Sequence, residues 1–82
     1  MAVLGALRDM SESVRVLFPG DQRDVLVDGA KCGITNQLMT VDTGTHTFTL
    51  SGDGYTPPSV RVRVAGTSPL APKNIRFEQV EP

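Results

Sequence analysis

The feature that most constrains the fold is an alternation of small polar and larger side chains between Thr45 and Ser51. Threonine or serine occupies every second position, and His46, Phe48 and Leu50 occupy the positions between them. A period of two is typical of a β-strand with one buried face, because successive side chains of a strand point to opposite faces. The pattern predicts a strand whose threonine face meets water and whose Phe48 face packs into a core.

Turn residues mark both ends of this strand. Gly44, which follows Asp42 and Thr43, can take a positive φ angle, so this step predicts a tight reversal from a short strand at residues 38–41. A second hairpin is indicated upstream by Asp28-Gly29 and Gly33, and residues 51–54 form a third turn. These turns and strands make a framework that spans residues 25–64.

The flanking sequence predicts further short strands. In residues 12–18, Val14, Val16 and Phe18 alternate with Ser13, Arg15 and Leu17. Further strands are predicted at residues 23–28, 34–36, 60–64 and 75–78, with a loop at residues 29–33. Six or seven short strands separated by turns predict an all-β domain, either a small sandwich or a partly open barrel.

The length and composition fit one small domain. The chain has 82 residues, 39% of them hydrophobic, which is enough for a modest core and argues against overall disorder. We predict one β-sandwich domain at residues 12–80, an N-terminal arm at residues 1–11 and a short tail at residues 81–82. Cys32 is the single cysteine, so the domain has no internal disulfide.

The N-terminal arm has apolar residues at helical spacing. Val3, Leu7 and Met10 recur with Leu4 beside them, which predicts a helix of about two turns. Gly5 and the shortness of the segment make such a helix marginal by itself. Two alternatives stay open: an apolar arm that orders on a neighbouring molecule, and a frayed terminus or lid over one end of the domain.

The order of these motifs closely resembles the PEGA domain. The residues concerned are Val25-Leu26-Val27-Asp28-Gly29, Gly33-Ile34-Thr35, the run from Gly44 to Leu50, Gly54-Tyr55 and the valine-rich strand that ends at Val64. Asn36 stands where that family usually has proline, and residues 42–45 replace the tetrapeptide that names it. The resemblance implies a small, non-catalytic, immunoglobulin-like β-sandwich of the kind attached to bacterial and archaeal envelope and surface-layer proteins.

The sequence predicts no catalytic, cofactor or metal site. A thiol nucleophile needs a base within hydrogen-bond reach and a group that orients the base, and nothing beside Cys32 and His46 supplies the third member. We expect His46 to be a packed or rim histidine satisfied by a turn backbone, and Cys32 to lie in a hairpin loop as a filler or exposed thiol. The aspartates are dispersed over turns and strand ends, outside any calcium-loop spacing.

Arginines occupy outward strand positions. Arg15, Arg61, Arg63 and Arg76 could share one basic face, and Tyr55 is the one candidate for base stacking. The net charge of −1 disfavours nucleic acid as a partner. The alternative, which we favour, is that these arginines solubilise a sheet face or protect sheet edges.

Protein partners are therefore the leading hypothesis. We predict an accessory subunit of a larger assembly, for example a phage capsid decoration or tail protein, that contacts neighbours through sheet edges and termini. The candidate contact residues are Val3, Leu4, Leu7, Met10, Arg61 and Arg63. The competing hypothesis is an envelope or carbohydrate-associated binding module, which the absence of Trp and the single Tyr disfavour. With neither a signal-peptide pattern nor a membrane-length apolar run, we expect cytoplasmic synthesis, followed by incorporation into a virion or other assembly.

Overall fold

The structure is a computed structural model that describes residues 11–80, which form nine β-strands and no helix. The strands are β1 (Ser11–Leu17), β2 (Asp24–Val27), β3 (Ala30–Ile34), β4 (Leu38–Asp42), β5 (Gly44–Leu50), β6 (Tyr55–Thr56), β7 (Val60–Val64), β8 (Lys73–Arg76) and β9 (Glu78–Gln79). The all-β prediction is confirmed. The two strands beyond the predicted number, β6 and β9, have only two residues each, too few for alternation to be visible in the sequence.

Two larger sheets make the sandwich. One has the strand order β4-β1-β8 and the other β3-β2-β5-β7, while β6 and β9 form a separate pair. The neighbours are antiparallel except β1 and β8, which run parallel. β1 begins at Ser11, one residue before the predicted domain start. The rest of the predicted arm and helix lies outside the described residues, as does the predicted tail at residues 81–82.

The facing sides of the two sheets share one apolar core. Its largest fully buried side chains are Phe48 from the centre of β5 and Phe77, which follows β8. The other buried apolar residues are Val14, Val16, Phe18, Val25, Val27, Met39, Val41, Leu50, Val64 and Ile75. The predicted inward positions of β1, β2 and β5 are confirmed, because alternation reports directly which side of a strand is buried.

The hairpin between β2 and β3 is tighter than predicted. Asp28 and Gly29 have φ angles of 53° and 90°, which makes a two-residue turn and allows Ala30 to pair with Val27. The loop predicted at residues 29–33 and the strand predicted at residues 34–36 were therefore wrong, and Cys32 lies on β3. The start of β3 is exposed on both faces, so its sequence lacks the alternation that marks a half-buried strand.

Residues 42–44 form a corner between the sheets rather than a tight hairpin. β4 pairs with β1, whereas β5 pairs with β2 and β7, so these consecutive strands belong to different sheets. The chain changes direction at the predicted residues, but β4 and β5 do not pair with each other as a hairpin would require. A turn glycine encodes a local backbone angle, and the choice of pairing partner depends on distant residues.

Asn36 shapes the connection from β3 to β4. Its φ angle is 65°, and its backbone N–H donates a hydrogen bond of 2.7 Å to the carbonyl of Val16. Its side chain donates to the Phe18 carbonyl at 2.8 Å and accepts from the Phe18 N–H at 3.1 Å. The side-chain amide thus continues the backbone pairing beyond the end of β1.

Within residues 11–80, no helix has the length and apolar character needed to cross a bilayer.

Candidate interaction surface

Strand β7 lies at one edge of the four-stranded sheet, and its two faces differ in chemistry. Val64 is buried, and Val60 and Val62 are half-buried against the core. Arg61 and Arg63 point to the opposite side and are exposed. The strand therefore has an apolar inner side that is incompletely covered and a basic outer side.

The register with β5 decides where the backbone groups of β7 point. Thr47 accepts a hydrogen bond of 2.8 Å from the Asp28 N–H, and its own N–H donates to the Asp28 carboxylate at 3.0 Å. Thr47 therefore bonds toward β2, away from β7. Its cross-strand partner on β7 is Arg61. Thr45, two residues earlier on β5, lies opposite Arg63. In an antiparallel ladder such pairs are not hydrogen-bonded to each other, so the N–H and C=O of both arginines point outward.

These outward groups form an open edge. β7 is the last strand of its sheet, and within residues 11–80 no hydrogen bond reaches the backbone of Arg61 or Arg63 on its outer side. Unpaired donors and acceptors along a sheet edge are a template for pairing with another strand. We call residues 60–64 with these free groups the β7 edge.

The other three edges of the two larger sheets are less suited to pairing. β3 has a register shift opposite Val25 and Leu26, which twists the edge, and it carries the exposed Lys31. On β4, the Asp42 carbonyl is already bonded to His46 at 2.7 Å. β8 has four residues and begins directly after Pro72. Among the edges of the two larger sheets in residues 11–80, the β7 edge is the one that combines five regular residues, half-buried valines on its inner side and exposed arginines on its outer side.

The structure separates the four predicted arginines into two pairs. Arg61 and Arg63 lie together on β7, but Arg15 and Arg76 belong to β1 and β8 of the three-stranded sheet. Each sheet buries the side that faces the other, so the outward arginines lie on opposite faces of the sandwich. The single basic face is therefore wrong, because sheet membership of distant strands is not encoded in their local alternation.

The remaining predicted contact residues lie outside the described residues. They are Val3, Leu4, Leu7 and Met10 of the N-terminal arm. Their part in binding stays a prediction.

His46 is half-buried near the start of β5, where both nitrogens of its ring take part in hydrogen bonds. Its Nδ1 lies 2.7 Å from Asp28 Oδ2 and its Nε2 lies 2.7 Å from the Asp42 carbonyl. The predicted bond to a turn backbone is confirmed, and the carboxylate of Asp28 is an addition. Two acceptors suit a doubly protonated ring, so the hydrogen bond to Asp28 raises the pKa of His46, and the same bond lowers the pKa of Asp28.

Cys32 and His46 do not meet. Cys32 is exposed on β3 and His46 is on β5, with β2 between these strands. Within residues 11–80 there is no cluster of three or more His, Cys, Asp or Glu side chains that could hold a metal ion. Tyr55 is half-buried, packs edge-on against Phe77 and donates its hydroxyl to the Leu50 carbonyl at 3.0 Å, so it is no exposed stacking platform.

Glu12 is a buried carboxylate that the sequence analysis missed. It accepts bonds from the Thr67 N–H at 2.9 Å and hydroxyl at 2.6 Å, and from the Thr43 hydroxyl at 2.5 Å. One side chain thereby joins β1 to the corner before β5 and to the loop after β7. The signal was available, because Glu12 has the same strand parity as the inward Val14 and Val16. The hydrogen bonds from Thr43 and Thr67 lower the pKa of Glu12 to about 2.

We predict that conformational stability has a maximum in mildly acidic solution. The contribution of Glu12 is present above its ordinary pKa of 4.5 and is lost as the pH falls toward about 2. The pKa of Asp28 is also lowered, by its hydrogen bond with His46, so Asp28 contributes to the same loss of stability in acid. The contribution of His46 is complete below its ordinary pKa of 6.5 and is lost as the pH rises through its raised folded-state value. Urea unfolding midpoints measured across pH test this profile.

Two variants identify the residue responsible for the loss of stability at each end of that pH profile. Glu12→Gln should remove most of the fall in stability at acid pH and leave the fall at higher pH unchanged. His46→Gln should remove the fall in stability at higher pH. An unfolding midpoint that does not change between pH 4.5 and pH 2 in the unaltered chain would contradict the role of Glu12.

Comparison with known proteins places the sequence in one family. The family model of the PEGA domain matches residues 13–78, which includes every strand from β2 to β8 and most of β1. No curated protein and no solved structure shows significant similarity to the chain.

Proposed function

The chain belongs to the PEGA domain family, and from this we propose that it is a non-catalytic interaction module, an accessory subunit of a larger protein assembly. The observation that carries the proposal is the β7 edge, where two pairs of backbone groups face outward beside exposed arginines. Strand addition to such an edge is a common way for small β-domains to bind other proteins.

The form of the surface supports a contact made by edges rather than a pocket. The surface of the described residues, 11–80, has no enclosed cavity in which a small molecule would be held. Natural sheets usually protect long regular edges with bulges, short strands, covering loops or charged side chains. The β7 edge has five regular residues, and of these devices it has only the exposed Arg61 and Arg63, which repel a basic strand but not an acidic one. The edge therefore favours pairing with a segment of another chain that is not basic.

A phage capsid decoration or tail protein is the specific case that we favour. Such a subunit would be added to the particle after cytoplasmic synthesis, through backbone pairing and apolar docking. The β7 edge and the apolar N-terminal arm, residues 1–11, would supply two separate contacts of that type.

An envelope or carbohydrate-associated binding module is the alternative function. Sugar recognition generally uses aromatic side chains beside polar groups, and the single tyrosine of the chain is engaged with Phe77 and Leu50. This arrangement counts against the alternative. Binding of the purified chain to a glycan panel would favour it.

Hydrogen exchange of backbone amides tests the openness of the β7 edge. We expect the amides of Arg61 and Arg63 to exchange at least about tenfold faster, after correction for intrinsic rates, than the amide of Val62, which bonds to β5. Residue-resolved NMR exchange measurements on the full chain would detect this alternation.

Strand β5 is the internal control for this measurement. Its residues pair with β2 on one side and β7 on the other, so the adjacent amides of Phe48 and Thr49 should both exchange slowly, without alternation. Slow exchange at both Arg61 and Arg63 in the free chain would mean that the edge is covered, and would overturn the proposal.

A further inference from the structure

We infer that the β7 edge binds an extended segment of another protein in which acidic and apolar residues alternate. This inference rests on the proposed function and specifies the partner of that same surface. It follows from three features of β7: the direction of its backbone groups, its incompletely covered apolar side and its basic outer side.

The backbone fixes which partner residues lie on which face. If the partner segment pairs antiparallel, as β5 does on the other side of β7, the outward N–H and C=O of Arg61 pair with the partner residue directly opposite, and those of Arg63 pair two residues further along. Residues directly opposite each other in a ladder place their side chains on the same face. The partner residues bonded to these arginines therefore lie on the basic outer face, and those between them lie on the inner face.

The inner face selects apolar residues. Val60 and Val62 pack against the core but remain half-buried, because no strand of residues 11–80 lies beyond β7. Apolar side chains on an added strand would extend the core over these valines and remove their remaining surface from water. A polar residue at the same position would cover apolar surface without this gain.

The outer face selects carboxylates. Arg61 and Arg63 are both exposed, and within residues 11–80 the ion pairs join other cations: Lys31 to Asp24, His46 to Asp28 and Arg76 to Glu78. The charge of Arg61 contributes to the lowered pKa of Asp28, but the two side chains form no direct ion pair. Opposite charges on neighbouring strands stabilise pairing, so glutamate or aspartate opposite each arginine is favoured.

The same arginines disfavour a second copy of this chain at the edge. Antiparallel pairing of two β7 strands through their outward groups would set Arg61 of one copy opposite Arg63 of the other. In the two neighbouring registers that keep these groups paired, either Arg61 lies opposite Arg61 or Arg63 lies opposite Arg63. Like charges directly opposite each other destabilise a strand pair. The acidic, apolar segment of a different protein fits the surface better.

A peptide titration tests the inference on the full chain. The probe is a seven-residue peptide with blocked ends in which glutamate and valine alternate. In two matched peptides lysine or threonine replaces each glutamate. In a third, the backbone nitrogen of each glutamate is methylated. Methylation removes the backbone donors that would face Arg61 and Arg63 without changing the charge. Amide shifts of the isotopically labelled chain report both the affinity and the place of binding.

The expected result is selective binding at β7. The glutamate peptide should shift the amides of Arg61 and Arg63 and bind at least about tenfold more tightly than the lysine peptide, and the methylated peptide should lose the interaction. The double variant Arg61→Glu with Arg63→Glu should reverse the preference. The control variant, Arg15→Glu with Arg76→Glu, changes the outward arginines of the other sheet and should keep it.

Other results would overturn the inference in distinguishable ways. Equal affinity for the glutamate, threonine and lysine peptides at β7 would refute the acidic partner and leave the open edge intact. Shifts confined to another edge, or no shifts while Arg61 and Arg63 still exchange quickly, would refute this partner at this surface. Slow exchange of both amides in the free chain is the separate result that removes the proposed function itself.

Discussion

Replacing Phe48 with alanine is expected to lower the free energy of unfolding by about 3–5 kcal/mol. Phe48 is fully buried at the centre of β5, between β2 and β7, and its ring fills the space where the two sheets meet. Alanine would leave a cavity lined by rigid strand residues that cannot close around it. A single core in a domain of this size rarely supplies more than about 3–5 kcal/mol, so half or more of the variant should be unfolded at room temperature. Urea denaturation followed by circular dichroism measures the loss.

Thr47→Ala is the matched control on the same strand. The side chain of Thr47 lies on the outer face, and the bonds between Thr47 and Asp28 use the Thr47 backbone. The variant keeps those bonds and should cost less than about 1 kcal/mol, the range of β-propensity effects. Equal losses from Phe48→Ala and Thr47→Ala would refute the assignment of the two faces of β5.

Asn36→Pro is expected to destabilise the chain by about 3 kcal/mol or more. Proline holds φ near −65°, whereas Asn36 has a φ angle of 65°, and proline has no N–H to donate to the Val16 carbonyl. The change also removes both side-chain bonds to Phe18. This outcome is informative because the substitution introduces the residue that the PEGA pattern usually has at this position. Thermal and urea unfolding of the variant measure the effect.

Asn36→Gly separates the backbone from the side chain. Glycine tolerates the positive φ angle and keeps the N–H, so only the two bonds to Phe18 are lost, at a cost of about 1–2 kcal/mol. The glycine variant should therefore be clearly more stable than the proline variant. A proline variant as stable as the unaltered chain would show that the turn between β3 and β4 can adopt another path.

The same register that stabilises the domain also creates its candidate interaction surface. Thr47 bonds to Asp28 on β2, and this choice turns the backbone groups of Arg61 toward the open side of the sheet. The His46 bond to Asp28 further holds this end of β2 and β5 together. The interaction surface is thus supported by an internal network close to the Asp28-Gly29 turn.

The sequence by itself determined the features that depend on near neighbours. Alternation identified the buried sides of β1, β2, β5 and β7, and Asp28-Gly29 and Gly44 located two changes of direction. The motif order identified the family. These predictions succeeded because strand faces and turn angles arise from residues that are adjacent or two apart in the chain.

Only the tertiary structure decided which strands pair and in what register. Consecutive β4 and β5 belong to different sheets, Arg15 and Arg76 are separated from Arg61 and Arg63, and Glu12 meets Thr67 across 55 positions of sequence. The outward direction of the Arg61 and Arg63 backbone groups likewise depends on their pairing with β5. Local alternation states which side of a strand is apolar, but pairing between distant strands is set by the packing of the whole core, and a shift of one residue would turn each backbone group to the other edge.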